Sequence, residues 1–587
     1  MTYSTAELPL HLRQYIAEQD YSLYTPIDHA SWRYIMRVSK EFFKDHAHPK
    51  YLEGLRETGV TIDRIPKISE MDQKLQKFGW RAVIITGFIP PEPFLEMLAH
   101  RILPIASDMR KLENIDYTPA PDIVHEAAGH APILADPSYS AYLKKFGEIA
   151  RRVIFAKEDN DLYRAVLLLS ETKENPYASA EEIALAQKKL DEAVEKVGYV
   201  SEAQQVTRLG WWSTEYGLFE QNGKYLMYGA GLLSSVGESF NCLSDRVAKV
   251  PLTVNCIDTP YDITKPQPQL FVTDDFQKLE KVIDQLAEKM AYKHGGIQGL
   301  AKAHRAQTVT TTVFESGIQV SGVLMEYRAD SKGTLTFIKM SGPVQLSYKE
   351  QELSGHGVEH HAHGFSSPIG KVRGLSVSPC LATANDWLKI GCREGQHSII
   401  EFESGIKVEG EWTQSILQDG KRLVMSFKNC VVKSSDQEIL FDPSWGVFDL
   451  ILGETVVSVF GGAADRNAYL KNVSMETFKP RPQKCNLTAE NKELNSLYGL
   501  IRDLRENNVV DGDGLEKILR VHEILKSKYP NEWLLRLEIL ELLDKNNWRP
   551  PVALEIKEKL EEMARESDRL RMLIQRGMEL IFSDKLS

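Results

Sequence analysis

Cysteine is scarce. Only Cys242, Cys256, Cys380, Cys392, Cys430 and Cys485 occur, with no C-x-x-C pair, so structural disulfides are not expected and a reducing compartment is. Long apolar runs are missing too. Nothing approaches the ~20 consecutive apolar residues that span a bilayer, and no membrane association is expected. The opening MTYSTAELPLHLRQYIAEQD carries polar residues every few positions, unlike a secretory signal. A cytoplasmic protein is the expectation. Positive charge is also in deficit. The net charge of -11 and isoelectric point of about 5.8 argue against nucleic acid as the main partner.

What is present is globular. The 587 residues are 42% hydrophobic and 26% charged, too long for one ordinary core. Three textures divide them. Residues 1–303 mix helical periodicity with short apolar runs. Residues 307–480 turn to Thr/Val/Gly/Ser-rich text with two-residue alternation, as in TVTTTVFESGIQVSGVL, which reads as half-buried strands. Residues 486–587 are helical again, with Leu515, Ile518, Leu519 and Leu525 on one face and Leu570, Leu573, Ile574 and Met578 on another. Asn546, Asn547, Pro550 and Pro551 interrupt that region. The stripes offer either a homo-oligomer contact or a surface that folds back on the strand-rich region.

The strand-rich region repeats itself. Phe314-Glu-Ser-Gly-Ile318-x-Val320-x-Gly322 recurs as Phe402-Glu-Ser-Gly-Ile406-x-Val408-x-Gly410, which predicts two related β-units with a hairpin turn at each Ser-Gly. Another self-contained feature lies within 151–200. Ser179 and Glu182 form a capping box, Ile183, Leu190, Val194 and Val197 form a stripe, and Gly198 ends the predicted helix. It reads as an inserted arm.

The chemistry concentrates in Pro121-Asp-Ile-Val-His125-Glu126-Ala-Ala-Gly129-His130. This is not the H-E-x-x-H zinc motif, whose histidines stand four apart. At a spacing of five, two side chains diverge by roughly 140° around a regular helix. Both reach one ion only if the helix is distorted, which Gly129 allows. Downstream, Glu215 sits in Trp211-Trp212-Ser-Thr-Glu215-Tyr216-Gly217, where an unpaired carboxylate is costly to bury. Two histidines and this carboxylate make the facial triad of non-haem Fe(II) oxygenases. A core Glu paired with Arg, with histidines at a helix end, remains the competing reading.

The order of motifs resembles the pterin-dependent aromatic amino acid hydroxylases, most of all bacterial phenylalanine 4-monooxygenases. It runs from Tyr24-Thr-Pro-Ile-Asp-His29-Ala-x-Trp32 and Tyr51-Leu-Glu-Gly-Leu55 through Pro121–Pro132 and Trp211–Leu218. Tyr228-Gly-Ala-Gly-Leu-Leu-Ser-Ser-Val-Gly-Glu238, Tyr261-Asp-Ile263 and Phe271-Val272 complete it. The resemblance implies a mainly α-helical catalytic domain over 1–303, and makes His125, His130 and Glu215 the ligands of Fe(II). Asp122 and Ser234 would orient the first histidine. Gly87, Ile89, Phe94 and Glu126 would contact a tetrahydropterin, with Phe94 stacking on it. Arg110 would grip the substrate carboxylate, Thr118, Ser235 and Glu238 would hold the amino-acid end, and Trp211 would wall the ring.

The implied reaction is hydroxylation of L-phenylalanine to L-tyrosine with O2 and the pterin. Ile263 stands where tyrosine-preferring members carry aspartate, and Trp211 where tryptophan hydroxylases tend to carry phenylalanine. Tryptophan or tyrosine hydroxylation in the same family is the alternative; a zinc hydrolase or an inactive binding protein is a remoter one. The chain departs from the family pattern in its 85-residue gap from His130 to Glu215, in Gly210, where an aromatic residue is common, and in the regions after 303. His356, His360, His361 and His363 form a separate cluster in SGHGVEHHAHGF. It reads as a solvated loop, with metal binding by His361 and His363 on one strand face as the weaker option.

Overall fold

The computed structural model describes residues 8–87, 89–116, 121–174, 178–263, 265–472, 482–507 and 512–582. No described helix is long and apolar enough to cross a membrane. The first region is built on the helix Pro26–His46, which begins at a capping box between Thr25 and Asp28 and buries Trp32, Ile35 and Phe43. Two small sheets flank the helices. Strands β1 (Arg81–Ile85) and β2 (Ile102–Ala106) pair in parallel, joined by the helix Pro91–Ala99. Strands β3 (Leu218–Gln221), β4 (Lys224–Met227), β5 (Ala248–Pro251) and β6 (Gln269–Thr273) form a sheet in the order β4-β3-β6-β5.

The arm is a helical pair, Lys157–Glu174 beside Ala180–Lys196, and the second helix has the Ser179–Glu182 capping box that its sequence signals. Its stripe needs correcting. Ala186 and Ala193 are the buried positions, whereas Val194 is 55% exposed. Small side chains let the two helices approach, and hydropathy alone underrates them.

After residue 306 the chain is mostly strands. The first group comprises β7 (Val309–Phe314), β8 (Ile318–Ala329), β9 (Leu335–Tyr348), β10 (Gln351–Glu352) and β11 (Gly364–Pro368). The second comprises β12 (His397–Glu401), β13 (Lys407–Gln418), β14 (Lys421–Lys433), β15 (Ile439–Phe441), β16 (Phe448–Ile451) and β17 (Val456–Gly461). Each copy of the repeated motif turns one antiparallel hairpin, β7–β8 and β12–β13. Gly317 (φ +94°) and Gly405 (φ +86°) take the left-handed backbone that each turn requires. Strand β17 then returns to the edge of the first sheet, beside β7. Two apolar cores serve the sheets, one around Phe314, Val320 and Ile338 that also takes in Leu423, Val424 and Ile451, the other around Trp387, Trp412 and Phe427 that also takes in Phe337.

A short helix, Arg466–Asn472, follows β17, and among the described residues five longer ones come after it: Lys492–Glu506, Gly512–Lys528, Leu534–Lys545, Pro551–Glu566 and Asp568–Phe582. Two expectations change here. Leu519 is exposed, and Val521 and His522 join Ile518 and Leu525 on the buried face. Among the described residues the five longer helices pack on the first region, sharing its core. Tyr34 stands edge-on to Trp533, and its hydroxyl donates to the Leu573 carbonyl at 2.7 Å. Arg33 donates to Glu538 at 2.7 Å and also pairs with Glu541, which in turn holds Arg37. Apolar side chains of the tail and of the Pro26–His46 helix share one continuous core.

Candidate metal centre

Residues 124–130 form a π-helix, with Ala131 N–H donating to the Glu126 carbonyl five residues back at 3.3 Å. This resolves the awkward spacing. A π-turn holds more residues than an α-turn, so positions five apart fall on one face. Glu215 ends a second π segment, Trp211–Glu215, closed by Tyr216 N–H to the Trp211 carbonyl at 2.9 Å. Close packing holds the two together. A Cβ on Gly129 would lie 2.8 Å from the Ala230 carbonyl oxygen, and one on Gly229 would lie 2.4 Å from that of Glu215. Gly129 therefore serves close approach between segments; it has no left-handed backbone.

Three side chains converge as a result. His125 Nε2 and His130 Nε2 are 3.2 Å apart. Glu215 Oε2 is 3.2 Å from the first and Oε1 is 3.1 Å from the second. Ligands in adjacent positions around a metal, at bonds of ~2.1 Å, stand about 3.0 Å apart, so the spacing suits one ion. The Ser234 hydroxyl donates to the Ala230 carbonyl at 2.7 Å, and therefore accepts from His125 Nδ1–H at 3.1 Å. That fixes the tautomer and leaves the Nε2 lone pair facing the centre. Burial pushes the Glu215 carboxyl up, but the two imidazoles prevail and hold it well below the usual carboxylate range.

Glu126 lies beside the triad with Oε2 4.0 Å from His130 Nε2. It is buried, and Oε2 has no hydrogen-bond partner. Burial, opposed by His130 and reinforced by Glu215, pushes it up to about 8. Asp122 accepts from His125 N–H at 3.0 Å, and so positions the histidine through its backbone and not through its ring. Both Asp122 oxygens also accept from Arg110, from Nε and Nη2 at 2.8 Å. Arg110 Nη1 donates to the Ser234 carbonyl at 3.0 Å. Asp122 thus engages the Nε/Nη2 fork of Arg110, and the Ser234 carbonyl engages Nη1.

Ser235 caps the helix Val236–Asn241 by accepting from Glu238 N–H at 3.2 Å, and its hydroxyl donates to the Asp116 carbonyl at 2.9 Å. Glu238 is buried, and burial pushes it up to about 7. Trp211 stacks on Tyr261 at 4.2 Å, with Tyr216 at 4.6 Å, so the aromatic wall is a three-ring assembly that the motif for Trp211 alone does not announce. Ile263 follows Tyr261 in the same loop, in a turn. The space at Gly210 is filled by Phe146, 3.0 Å from where a Cβ would stand.

Gly87, Ile89 and Phe94 lie apart from the triad in sequence and element. Gly87 (φ +71°) follows β1, Ile89 is buried in a core with Val83, Ile85 and Met97, and half-buried Phe94 projects from the helix Pro91–Ala99. Thr118 falls outside the described residues.

Comparison with known proteins follows the geometry. The sequence matches the model of the biopterin-dependent aromatic amino acid hydroxylases over residues 13–159 and 181–329. The interruption falls within the helical arm. The phenylalanine-4-hydroxylase of Mesorhizobium japonicum is 28% identical over 265 residues, spanning 44% of this chain and 80% of that protein. That of Pseudomonas aeruginosa is 28% identical over 272 residues, spanning 45% and 87%. A solved Chromobacterium violaceum phenylalanine hydroxylase with iron(III) and 7,8-dihydrobiopterin is 26% identical, covers 47% of this chain and 88% of its own, and has a TM-score of 0.37. The chain belongs to the biopterin-dependent aromatic amino acid hydroxylase family.

Proposed function

We propose that this protein hydroxylates L-phenylalanine to L-tyrosine with O2 and a tetrahydropterin, at Fe(II) held by His125, His130 and Glu215. The observation that carries the reading is the convergence of two imidazole nitrogens and one carboxylate within 3.2 Å of one another. This donor set fits an iron of the facial-triad kind, with one face left for reactants. When bound there, iron and reduced pterin supply the activation of O2 that no side chain provides. The relatives above carry the name phenylalanine-4-hydroxylase, which supports this choice of ring.

The chain's own residues place the reactants. Ser234 keeps the His125 lone pair aimed inward. Glu126 offers a buried, unpartnered oxygen beside the triad, and we assign it to the pterin together with Gly87, Ile89 and Phe94. Arg110, held by Asp122 and by the Ser234 carbonyl, is assigned to the substrate carboxylate; Ser235, Glu238 and Thr118 are assigned to the amino-acid end. Trp211, backed by Tyr261, walls the ring, and Ile263 presents an apolar side chain that offers a phenol hydroxyl no hydrogen bond. We also read the chain as a catalytic unit over 1–303, two related β-units over 307–480 and a helical unit over 486–587, working in the cytoplasm.

The test is direct. Purified protein with Fe(II), O2 and a tetrahydropterin should form tyrosine from phenylalanine, and do so in preference to hydroxylating tyrosine or tryptophan in competition. Absence of tyrosine formation from iron-loaded protein would overturn the proposal.

A further inference from the structure

The loop between β10 and β11 brings a second group of donors together. His356 Nδ1 is 3.3 Å from His361 Nε2. Asp449 Oδ2, on β16, is 2.9 Å from His360 Nε2, 3.7 Å from His356 Nδ1 and 3.9 Å from His361 Nε2. The same four atoms recur in these four pairs, and each of the four residues offers one donor atom within 4.8 Å of the others. Four ligands at bonds of ~2.0–2.1 Å in a tetrahedron stand about 3.4 Å apart, the middle of the observed range.

We propose that His356, His360, His361 and Asp449 form a second metal centre, separate from the triad, which takes Zn(II) and ties the two β-units together. Three imidazoles disfavour Mg(II) and Ca(II), and a four-donor tetrahedral arrangement selects Zn(II). No donor position is left open, as in sites that serve structure and not catalysis. The surroundings are built for the role. The Ser426 hydroxyl donates to Asp449 Oδ1 at 2.5 Å, which leaves Oδ2 for the centre. Leu346 N–H donates to the His356 carbonyl and Val344 N–H to that of His361, so strand β9 of the first unit holds the histidine loop. Asp449 pairs in register with Ser426 on β14 of the second unit.

His356, His361 and Asp449 are buried, while the His360 side chain is 41% exposed, which gives an ion a way in and a chelator a way out. His363, the partner that strand alternation suggests for His361, is exposed and takes no part. The carboxylate lies 89 residues beyond His360, where the sequence gives no sign of it.

A chain with the triad disabled, His130→Ala with Glu215→Gln, isolates the second site. We expect it to bind one equivalent of Co(II) with the intense visible bands of tetrahedral coordination, and one equivalent of Zn(II) by elemental analysis. Adding His361→Gln or Asp449→Asn should abolish that equivalent. In the parent chain, the same two changes should leave iron content intact, while a zinc-selective chelator lowers the parent's melting temperature and not the variants'. No metal bound by the triad-disabled chain, or binding indifferent to both changes, would overturn the proposal. If the triad-disabled chain does not fold, iron-loaded parent and its Asp449→Asn variant carry the same comparison through their zinc content.

Discussion

Ser234 decides which nitrogen of His125 faces the iron site, because its own hydroxyl proton is already committed to the Ala230 carbonyl. Ser234→Ala should therefore weaken iron binding by roughly 10–100-fold, measured by titration of the metal-free protein, without unfolding it. Glu238 gives a pH signature. Its folded-state value of about 7 exceeds the ordinary 4.5, so it adds no penalty below about pH 4.5 and destabilises increasingly as pH rises through 7. Glu238→Gln removes that dependence. The stability of the variant relative to the parent should improve by on the order of 3 kcal/mol between about pH 5 and pH 8, read by denaturation at both. Ile263→Asp should raise tyrosine hydroxylation relative to phenylalanine in competition assays. Residue types and motif order made the triad legible in the sequence. The engagement of Arg110 by Asp122 was not, since it depends on a backbone fold that brings residues 110, 122 and 234 together.

The two π segments show what one extra residue per turn does at the scale of an element. His125 and His130 stand five apart, which a regular helix would point to different sides; the sequence announces the irregularity but not its form. That form depends on Gly129 and Gly229 admitting neighbouring backbone at distances no side chain tolerates. Deleting Ala128 should restore a regular helix with histidines four apart and move them out of line with Glu215. Metal content should fall to background while far-UV circular dichroism stays near that of the parent. The hairpin turns of the strand region were legible from Ser-Gly and its repeat. The pairing of β17 with β7 was not, because strands distant in sequence are joined by shape, and alternation alone does not say where an edge closes.

At the scale of the whole molecule, the tail completes the first region's core. Arg33 is almost fully buried between Glu538 and Glu541, so Glu541→Ala, which removes one of its two buried carboxylate partners and the partner of Arg37, should cost about 1–3 kcal/mol, read as a fall in denaturation midpoint. Arg569 grips Asp116 at 2.6 Å, and Arg576 donates to the Val236 carbonyl at 2.9 Å, so the last helix touches the segments flanking Ser235. The apolar stripes of the tail were evident from periodicity, but their destination was not, since a stripe does not name its partner.

Tyr34 and the Leu573 carbonyl that it meets are 539 positions apart. At translation rates of about 5–20 residues per second, the first long helix leaves the ribosome roughly half a minute to two minutes before its counterpart is made. During that interval Arg33, Tyr34 and Arg37 lack their partners on the nascent polypeptide. Synthesis of this enzyme should therefore draw heavily on chaperones that shield unfinished chains, and slowing elongation should lengthen its exposure to them.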